Sequence, residues 1–343
     1  MKAVAAMRKV NLDLCRVLSC FTVVMLHAAQ LFWDFNPASP VWAVWNLLSL
    51  AFRCCVPLFF MISGALLLER EAMELGRHLR RIGRFVLLFY LWSAICYGLD
   101  TLFFHVWTTE GDLVPLVLAG YFHEWFLPAL VLCYCALPLL HGFLHRNTAL
   151  ARQGVLLLCV PVVLLSTLEP LPQKPPLLAA LLFPWHLSDL RYLVYFLLGW
   201  LLETRPLSRR GLRRLALAAL ASLLIFGWMN RRFALAAGHA VDATYGYLAL
   251  PAALCAACVF SLCRCARRLS AHAAGLLHEL SGYTLGVYLM HPVFMEMLRG
   301  SHFNFAAHSA LWLYPACTLG FLLPSLALTG LLKKLPLLRR LVS

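Results

Sequence analysis

The 343-residue chain is 62% hydrophobic, and only 13% of its residues are charged. Soluble domains carry charge on about 25% of their residues, so this composition excludes an ordinary water-soluble protein and indicates that lipid is the main solvent. The formal net charge of +14 could indicate a nucleic-acid partner, but basic residues also accumulate beside the spans of membrane proteins. We therefore predict a lipid-bilayer protein that does not bind nucleic acid.

Ten apolar runs are candidates for crossing the hydrocarbon core, which takes about 20 helical residues. In chain order they cover residues 12–33, 42–68, 82–105, 122–144, 153–168, 190–203, 212–229, 245–263, 279–298 and 309–332. A proline-rich stretch from Pro170 to Pro184 is too interrupted to span and is interpreted as a re-entrant or interfacial loop. The prediction is an all-α polytopic bundle of about ten transmembrane helices, which forms one integral-membrane domain over residues 1–343.

The distribution of basic residues predicts the orientation of these spans. If both termini face the cytoplasm, twenty-two of the 29 Lys and Arg residues lie in cytoplasmic segments and five lie in the opposite segments. Membrane proteins keep Lys and Arg mainly on the cytoplasmic side. We therefore expect both termini to be cytoplasmic.

The first predicted span carries polar residues on one helical face. Asp13, Arg16 and His27 lie there, and at about 100° per residue Arg16 and His27 differ by only about 20° around the helix axis. A charged side chain within a span is costly and commonly marks a functional site. His27 suits general-base chemistry near neutral pH, although it could equally link two helices by a hydrogen bond.

Arginines mark the next two spans. Arg53 lies deep in the second run, where a permanently charged guanidinium needs an anion or acceptors, so it is either functional or a structural link between helices. Arg80, Arg81 and Arg84 gather at the start of the third run. Their forked donors match phosphate oxygens in pairs, but ordinary anchoring on the cytoplasmic side would also explain the cluster.

Further polar residues occur on the fourth and ninth spans. His123, Glu124 and Trp125 open the fourth run, and Tyr288 and His291 lie on the ninth. Trp125 is also typical of an aromatic anchor at the membrane boundary. His291 could line a cavity or bond a neighbouring helix.

Motifs of soluble enzymes and of metal sites do not explain this pattern. The sequence contains no nucleophile elbow, phosphate-binding loop, dinucleotide fingerprint or zinc-protease motif. Cys255 and Cys258 form a single CxxC pair, and no second pair or nearby histidine cluster completes a metal site. No metal is therefore predicted.

Taken together, the motifs resemble those of the membrane acyltransferase-3 family. Arg16, followed by ten residues and His27, resembles the family's R-x10-H signature. Four more motifs follow in the family's order: V-P-L-F-F-M-I-S-G (Val56 to Gly64), the Arg80-Arg81-x-x-Arg84 cluster, H-E-W-F-L (His123 to Leu127) and Y-T-L-G-V-Y-L-M-H-P (Tyr283 to Pro292). The resemblance covers nearly the whole chain and is greatest to the O-acetyltransferase branch that modifies enterobacterial common antigen.

The resemblance implies a membrane O-acyltransferase, most simply an O-acetyltransferase, in the bacterial inner membrane. Such an enzyme takes acyl-CoA, by family habit acetyl-CoA, from the cytoplasm and acylates a hydroxyl of a cell-envelope glycan or lipid-linked sugar. Acetyl-CoA is then a co-substrate, and no bound cofactor is expected. Arg80, Arg81 and Arg84 match the family's proposed CoA-binding cluster.

The resemblance also implies roles for the intramembrane residues. His27 matches the family's catalytic histidine and Arg16 its partner arginine. The resulting hypothesis puts Asp13 and Arg16 beside the path of the donor and makes His27 either a general base or a covalent acyl carrier. Arg53 would stabilise the developing oxyanion.

Glu124, Trp125, Tyr288 and His291 are predicted to contact a substrate. A transporter or flippase for a lipid-linked sugar or small solute is the alternative function, because proton-coupled carriers also use charged residues within the membrane. A sensor or scaffold without chemistry is a third interpretation, under which the intramembrane polar residues would tolerate substitution.

Overall fold

A computed structural model describes residues 2–32, 36, 40–69, 74–104, 113–146, 148–168, 170, 189–265, 269–301, 303, 310–336 and 338–342. The predicted loop from Pro170 to Pro184 lies outside these residues except for Pro170 itself.

Every regular element within the described residues is helical. The α-helices are α1 (Lys2–Gln30), α2 (Pro40–Phe52), α3 (Cys55–Leu67), α4 (Leu75–Leu99), α5 (Leu113–Ala119), α6 (Phe126–Arg146), α7 (Thr148–Leu168), α8 (Leu193–Thr204), α9 (Arg209–Ala237), α10 (Leu250–Cys265), α11 (Ala271–Ser281), α12 (Thr284–Gly300) and α13 (Ala310–Lys334). A π-helical turn, Asp100–Phe104, extends α4, and 3-10 turns cover Asp189–Tyr192 and Leu338–Leu341.

Seven helical segments of the described chain are long and apolar enough to cross a membrane: Val10–Gln30, Val41–Leu67, Leu75–Phe104, Phe126–His145, Ala151–Leu168, Arg209–Ala237 and Leu311–Lys334. Three further predicted spans coincide with α8, α10 and α12, which have only 12, 16 and 17 residues. At about 1.5 Å per residue, these helices are shorter than the roughly 30 Å of hydrocarbon. The protein is a multi-pass membrane protein, whereas the total of about ten spans and the side of the termini remain predictions.

Helix α1 occupies the centre of the bundle. It packs against α2, α3, α10, α11, α12 and α13. Asp13 and His27 are both buried, so the polar face of α1 points towards protein rather than lipid. Helix α9 instead packs on α2 and α10, and its other face exposes large apolar side chains, namely Leu217, Leu220, Leu224, Ile225 and Trp228.

Two of the predicted spans are interrupted. The second consists of α2 and α3, which meet at Arg53 and Cys54. Pro57 explains this break, because proline has no N–H and its ring excludes the carbonyl group four residues earlier, which belongs to Arg53. The ninth divides into α11 and α12 at Gly282 and Tyr283. The first break lies inside the protein, where Cys54 is buried, whereas Gly282 at the second break is exposed.

Helices α3 and α8 cross at two glycines. A Cβ atom added to Gly64 would overlap the backbone of Phe196, and one added to Gly199 would overlap the backbone of Met61. Small residues at such a crossing let two helices in a membrane approach closely and gain van der Waals contact. This crossing anchors α3, which lines the cavity described below.

Replacing Gly64 with alanine should therefore destabilise the fold by about 1–3 kcal/mol, because the added methyl group meets rigid backbone. Thermal unfolding of the purified protein in detergent would measure the effect. Gly142→Ala is the matched control, since a Cβ atom at Gly142 meets nothing within 4 Å. Equal melting temperatures for the two variants would contradict the crossing.

Candidate active site

A polar cluster joins α1 to α11. The Asp13 carboxylate accepts hydrogen bonds from the Ser281 hydroxyl (2.6 Å) and from His278 Nδ1 (2.9 Å). Arg16 Nη1 donates to the Ser281 hydroxyl at 3.0 Å and lies 3.6 Å from Asp13 Oδ1. These contacts fix the Arg16 guanidinium from two sides.

Arg16 borders a cavity of about 180 Å³ between α1, α3, α4, α6 and α12. The other side chains that line it are Phe59, Ile62, Ser63, Phe85, Phe126, Leu130, Tyr134, Thr284, Leu285 and Tyr288. The lining is mostly apolar with a few polar groups, which is typical of pockets that bind an organic ligand. The cavity links the Arg16 cluster to Tyr288.

The three arginines of α4 differ in their surroundings. The Arg81 guanidinium carbon lies 6.0 Å from the ring centroid of Tyr134, which lines the cavity. The Arg80 side chain is 78% exposed, and its Nε donates to the carbonyl oxygen of Gly76 at 3.2 Å. Arg84 is exposed as well. Of the predicted cluster, Arg81 is therefore the member that lies against the cavity wall.

His27 and His291 form a buried pair, which we call the histidine pair. His27 Nδ1 and His291 Nε2 are 2.6 Å apart, and the two rings stack with centroids 4.8 Å apart. His291 Nδ1 lies 3.0 Å from the carbonyl oxygen of Val287. His27 is only 9% exposed, and His291 is fully buried.

The hydrogen-bond network assigns the tautomers of this pair. A carbonyl oxygen only accepts, so His291 Nδ1 carries the proton and its Nε2 is an acceptor in a neutral ring. His27 Nδ1 must then donate to that nitrogen. The unprotonated nitrogen of His27 is therefore Nε2, which can take a proton from a substrate.

A turn over residues 122–125 precedes α6. Helix α6 therefore begins four residues after the start of the fourth predicted span, 122–144. The Tyr288 hydroxyl donates to the carbonyl oxygen of His123 at 2.7 Å. The His123 ring lies 6.0 Å from that of His291 and 5.5 Å from that of Tyr288. Glu124 Oε2 accepts hydrogen bonds from the Ser93 hydroxyl and, at 3.3 Å, from a backbone N–H. His123 is not among the residues that the sequence predicts to contact a substrate, although it stands next to Glu124, which is.

Trp125 packs inside the protein. Its ring lies 5.4 Å from that of Tyr192 and 5.1 Å from that of Tyr247. The guanidinium of Arg53 lies over the Tyr247 ring at 4.7 Å and near the Tyr245 ring at 5.8 Å. Arg53 is thus held by aromatic faces at the break between α2 and α3.

Metal binding finds no support in the described part of the chain, where no group of three or more His, Cys, Asp or Glu side chains is arranged to hold an ion.

The fold and the buried polar residues together define a multi-pass membrane protein with a buried histidine in its central helix. The protein family is shown by comparison of the sequence with family models. The family model described as Acyltransferase domain matches residues 9–330, and the chain belongs to this family. Membership implies a membrane acyltransferase and confirms the family resemblance of the motifs. No curated protein and no solved structure matches the chain.

Proposed function

We propose that the protein transfers an acyl group, in the first place acetyl, from acyl-CoA to a hydroxyl of a cell-envelope glycan or lipid-linked sugar. It would do so in the bacterial inner membrane, and the branch that modifies enterobacterial common antigen supplies the model for its acceptor. The observation that carries the proposal is the histidine pair, because it leaves Nε2 of His27 as an unprotonated nitrogen in the interior of a membrane acyltransferase.

In this mechanism His27 acts as the general base. Its Nε2 takes the proton of the acceptor hydroxyl while the oxygen attacks the thioester carbonyl carbon. The C–S bond then breaks, and the CoA thiolate leaves with the proton that Nε2 returns. A covalent acyl-histidine would require attack by Nε2 itself, and rapid acid quenching with mass spectrometry would detect that intermediate.

Arg53 is assigned to the developing oxyanion. Its guanidinium is held over Tyr247, and its Nε has no hydrogen-bond partner in the protein. A positioned positive charge in a site that excludes water stabilises a transition-state anion far more than it would in bulk water.

The donor would enter from the cytoplasm between α4 and α6. Arg81, whose guanidinium lies 6.0 Å from the ring of the cavity residue Tyr134, would bind a phosphate of CoA, and Arg16 lies further along the same cavity. The narrow pantetheine arm could then lie in the apolar cavity with its thioester towards Tyr288.

Replacing Arg81 with alanine should raise KM for acetyl-CoA by about tenfold, because one charge-assisted hydrogen bond to phosphate is lost. Initial rates of acetyl transfer at varied acetyl-CoA would give the value. Arg80→Ala is the matched control from the same helix, and its KM should stay within about threefold of the wild type, since that side chain points into solvent. Equal changes for both variants would mean that the cluster acts only through its overall charge.

The overall proposal is tested by mass spectrometry of envelope glycans from wild-type and deletion cells. An acyl group that disappears on deletion would identify both the transferred group and its acceptor. Identical glycans, together with no turnover of acetyl-CoA by the purified protein, would contradict the proposal and favour the transporter alternative.

A further inference from the structure

Two neighbouring residues of the 122–125 turn keep polar atoms unpaired in the protein interior. His123 is 3% exposed, and its ring nitrogens have no well-formed hydrogen bond in the protein, because the contact at the Leu289 backbone falls outside hydrogen-bond geometry. Glu124 is fully buried, and its Oε1 also lacks a partner. Buried polar atoms are almost always paired in proteins, so two adjacent exceptions need an explanation. The catalytic mechanism above uses neither residue.

The turn holds these unpaired atoms rigidly. Ser93 donates to Glu124 Oε2, and this fixes the carboxylate with its Oε1 free. The Tyr288 hydroxyl holds the backbone of His123 through its carbonyl oxygen. Rearrangement of the turn to pair the free atoms would break these bonds, so the atoms are presented in a fixed geometry.

The His123 ring also lies beside the histidine pair, and a residue of the cavity lining holds its backbone. The His123 ring is in edge contact with His291, whose Nε2 accepts the hydrogen bond from His27. Tyr288, which binds the His123 backbone, lines the cavity, as does Phe126 at the start of α6. A molecule that offers a hydroxyl to His27 would therefore have its neighbouring groups close to His123 and Glu124.

We propose that His123 and Glu124 form the acceptor subsite and bind hydroxyl groups next to the one that is acylated. A carboxylate oxygen accepts from a hydroxyl, and a neutral imidazole can donate through one nitrogen and accept through the other. Together they match a polyhydroxy ligand such as a saccharide better than an alcohol with a single hydroxyl. This inference rests on the proposed acyl transfer, and it identifies the acceptor class and the residues that select it.

An acceptor subsite and a structural pair respond differently to substitution. Glu124→Gln replaces the carboxyl group by an amide that can still bond Ser93, and His123→Phe replaces the imidazole by a somewhat larger ring without nitrogens. If the atoms serve a ligand, both variants should lose acceptor use while the melting temperature of the unliganded protein stays level or rises. If they serve the fold, the melting temperature should fall.

The experiment uses membranes from deletion cells, which hold the native acceptor, after expression of each variant. Radiolabelled acetyl-CoA is added, and label in envelope glycan is counted; acetyl-CoA affinity and melting temperature are measured on purified protein. We expect each variant to lower glycan labelling at least tenfold, to leave acetyl-CoA affinity within twofold, and not to lower the melting temperature. Glu203→Gln is the matched control, because that buried carboxylate lies 3.5 Å from Arg264 Nε; it should lose stability and keep glycan labelling.

Labelling within twofold of the wild type would overturn the subsite. So would a joint fall of labelling, acetyl-CoA affinity and melting temperature, which is the signature of a structural role. Failure of the wild-type protein to label any glycan is a different result, because it would remove the proposed function itself.

Discussion

Replacing His27 with asparagine should lower acyl transfer by a factor of about 10²–10⁴ while the protein still folds. The asparagine amide nitrogen stands close to the position of Nδ1 and can keep donating to His291, but it provides no base in place of Nε2. The substitution therefore separates the catalytic role from the structural one more cleanly than alanine, which would also leave a cavity. Labelling of envelope glycan from acetyl-CoA, with melting temperature measured in parallel, would give both readouts.

His78→Gln is the matched control for this prediction. His78 is also a buried histidine, and its Nε2 lies 2.9 Å from the carbonyl oxygen of Tyr134, a bond that a glutamine amide can replace. The transfer rate of the His78→Gln protein should stay within about threefold of the wild type, because the His78 side chain takes no proton from a substrate. Near-normal transfer by the His27→Asn protein would show that His27 only links helices.

Replacing His291 with phenylalanine should lower kcat by about 10²-fold and leave KM for acetyl-CoA nearly unchanged. An aromatic ring is kept, but His27 Nδ1 loses the acceptor that orients its ring and fixes its tautomer. Small misplacements of a reacting group can cost this much in rate. His291 is a positioning residue in this account, because its own nitrogens are occupied by His27 and Val287.

His291→Gln provides the informative comparison. The side-chain oxygen of glutamine can reach the position of Nε2 and accept from His27, so we expect kcat to recover to within about tenfold of the wild type. Steady-state kinetics of both variants over a range of acetyl-CoA concentrations would decide the matter. Equal losses in kcat for phenylalanine and glutamine would show that the acceptor at residue 291 does not matter.

The sequence by itself determined the class of protein and much of its secondary structure. Hydropathy over windows of about 20 residues is a local property, and the predicted runs coincide with the seven long apolar helical segments of the described chain, although they did not include α5 or most of α11. Helical periodicity likewise put Asp13, Arg16 and His27 on one face of α1, and the structure buries that face. The motifs, read in order, identified the acyltransferase family.

The partners of these residues were decided only by the tertiary structure. His27 meets His291, which is 264 positions away, and Asp13 meets Ser281 across a similar separation. Periodicity shows which side chains share a face, but it does not say which helix covers that face, because lipid-facing and protein-facing apolar surfaces have the same composition.

The same limit applies to residues that stand next to one another in the chain. Arg80 and Arg81 are adjacent, yet one points into solvent and the other lies against Tyr134. Likewise, only the packing of α4 and α12 around the 122–125 turn shows that the buried Glu124 carboxylate bonds Ser93 and that the His123 ring lies beside the histidine pair. Side-chain direction and hydrogen-bond pairing depend on neighbours distant in sequence, and the physical interactions that select them arise once the helices are packed.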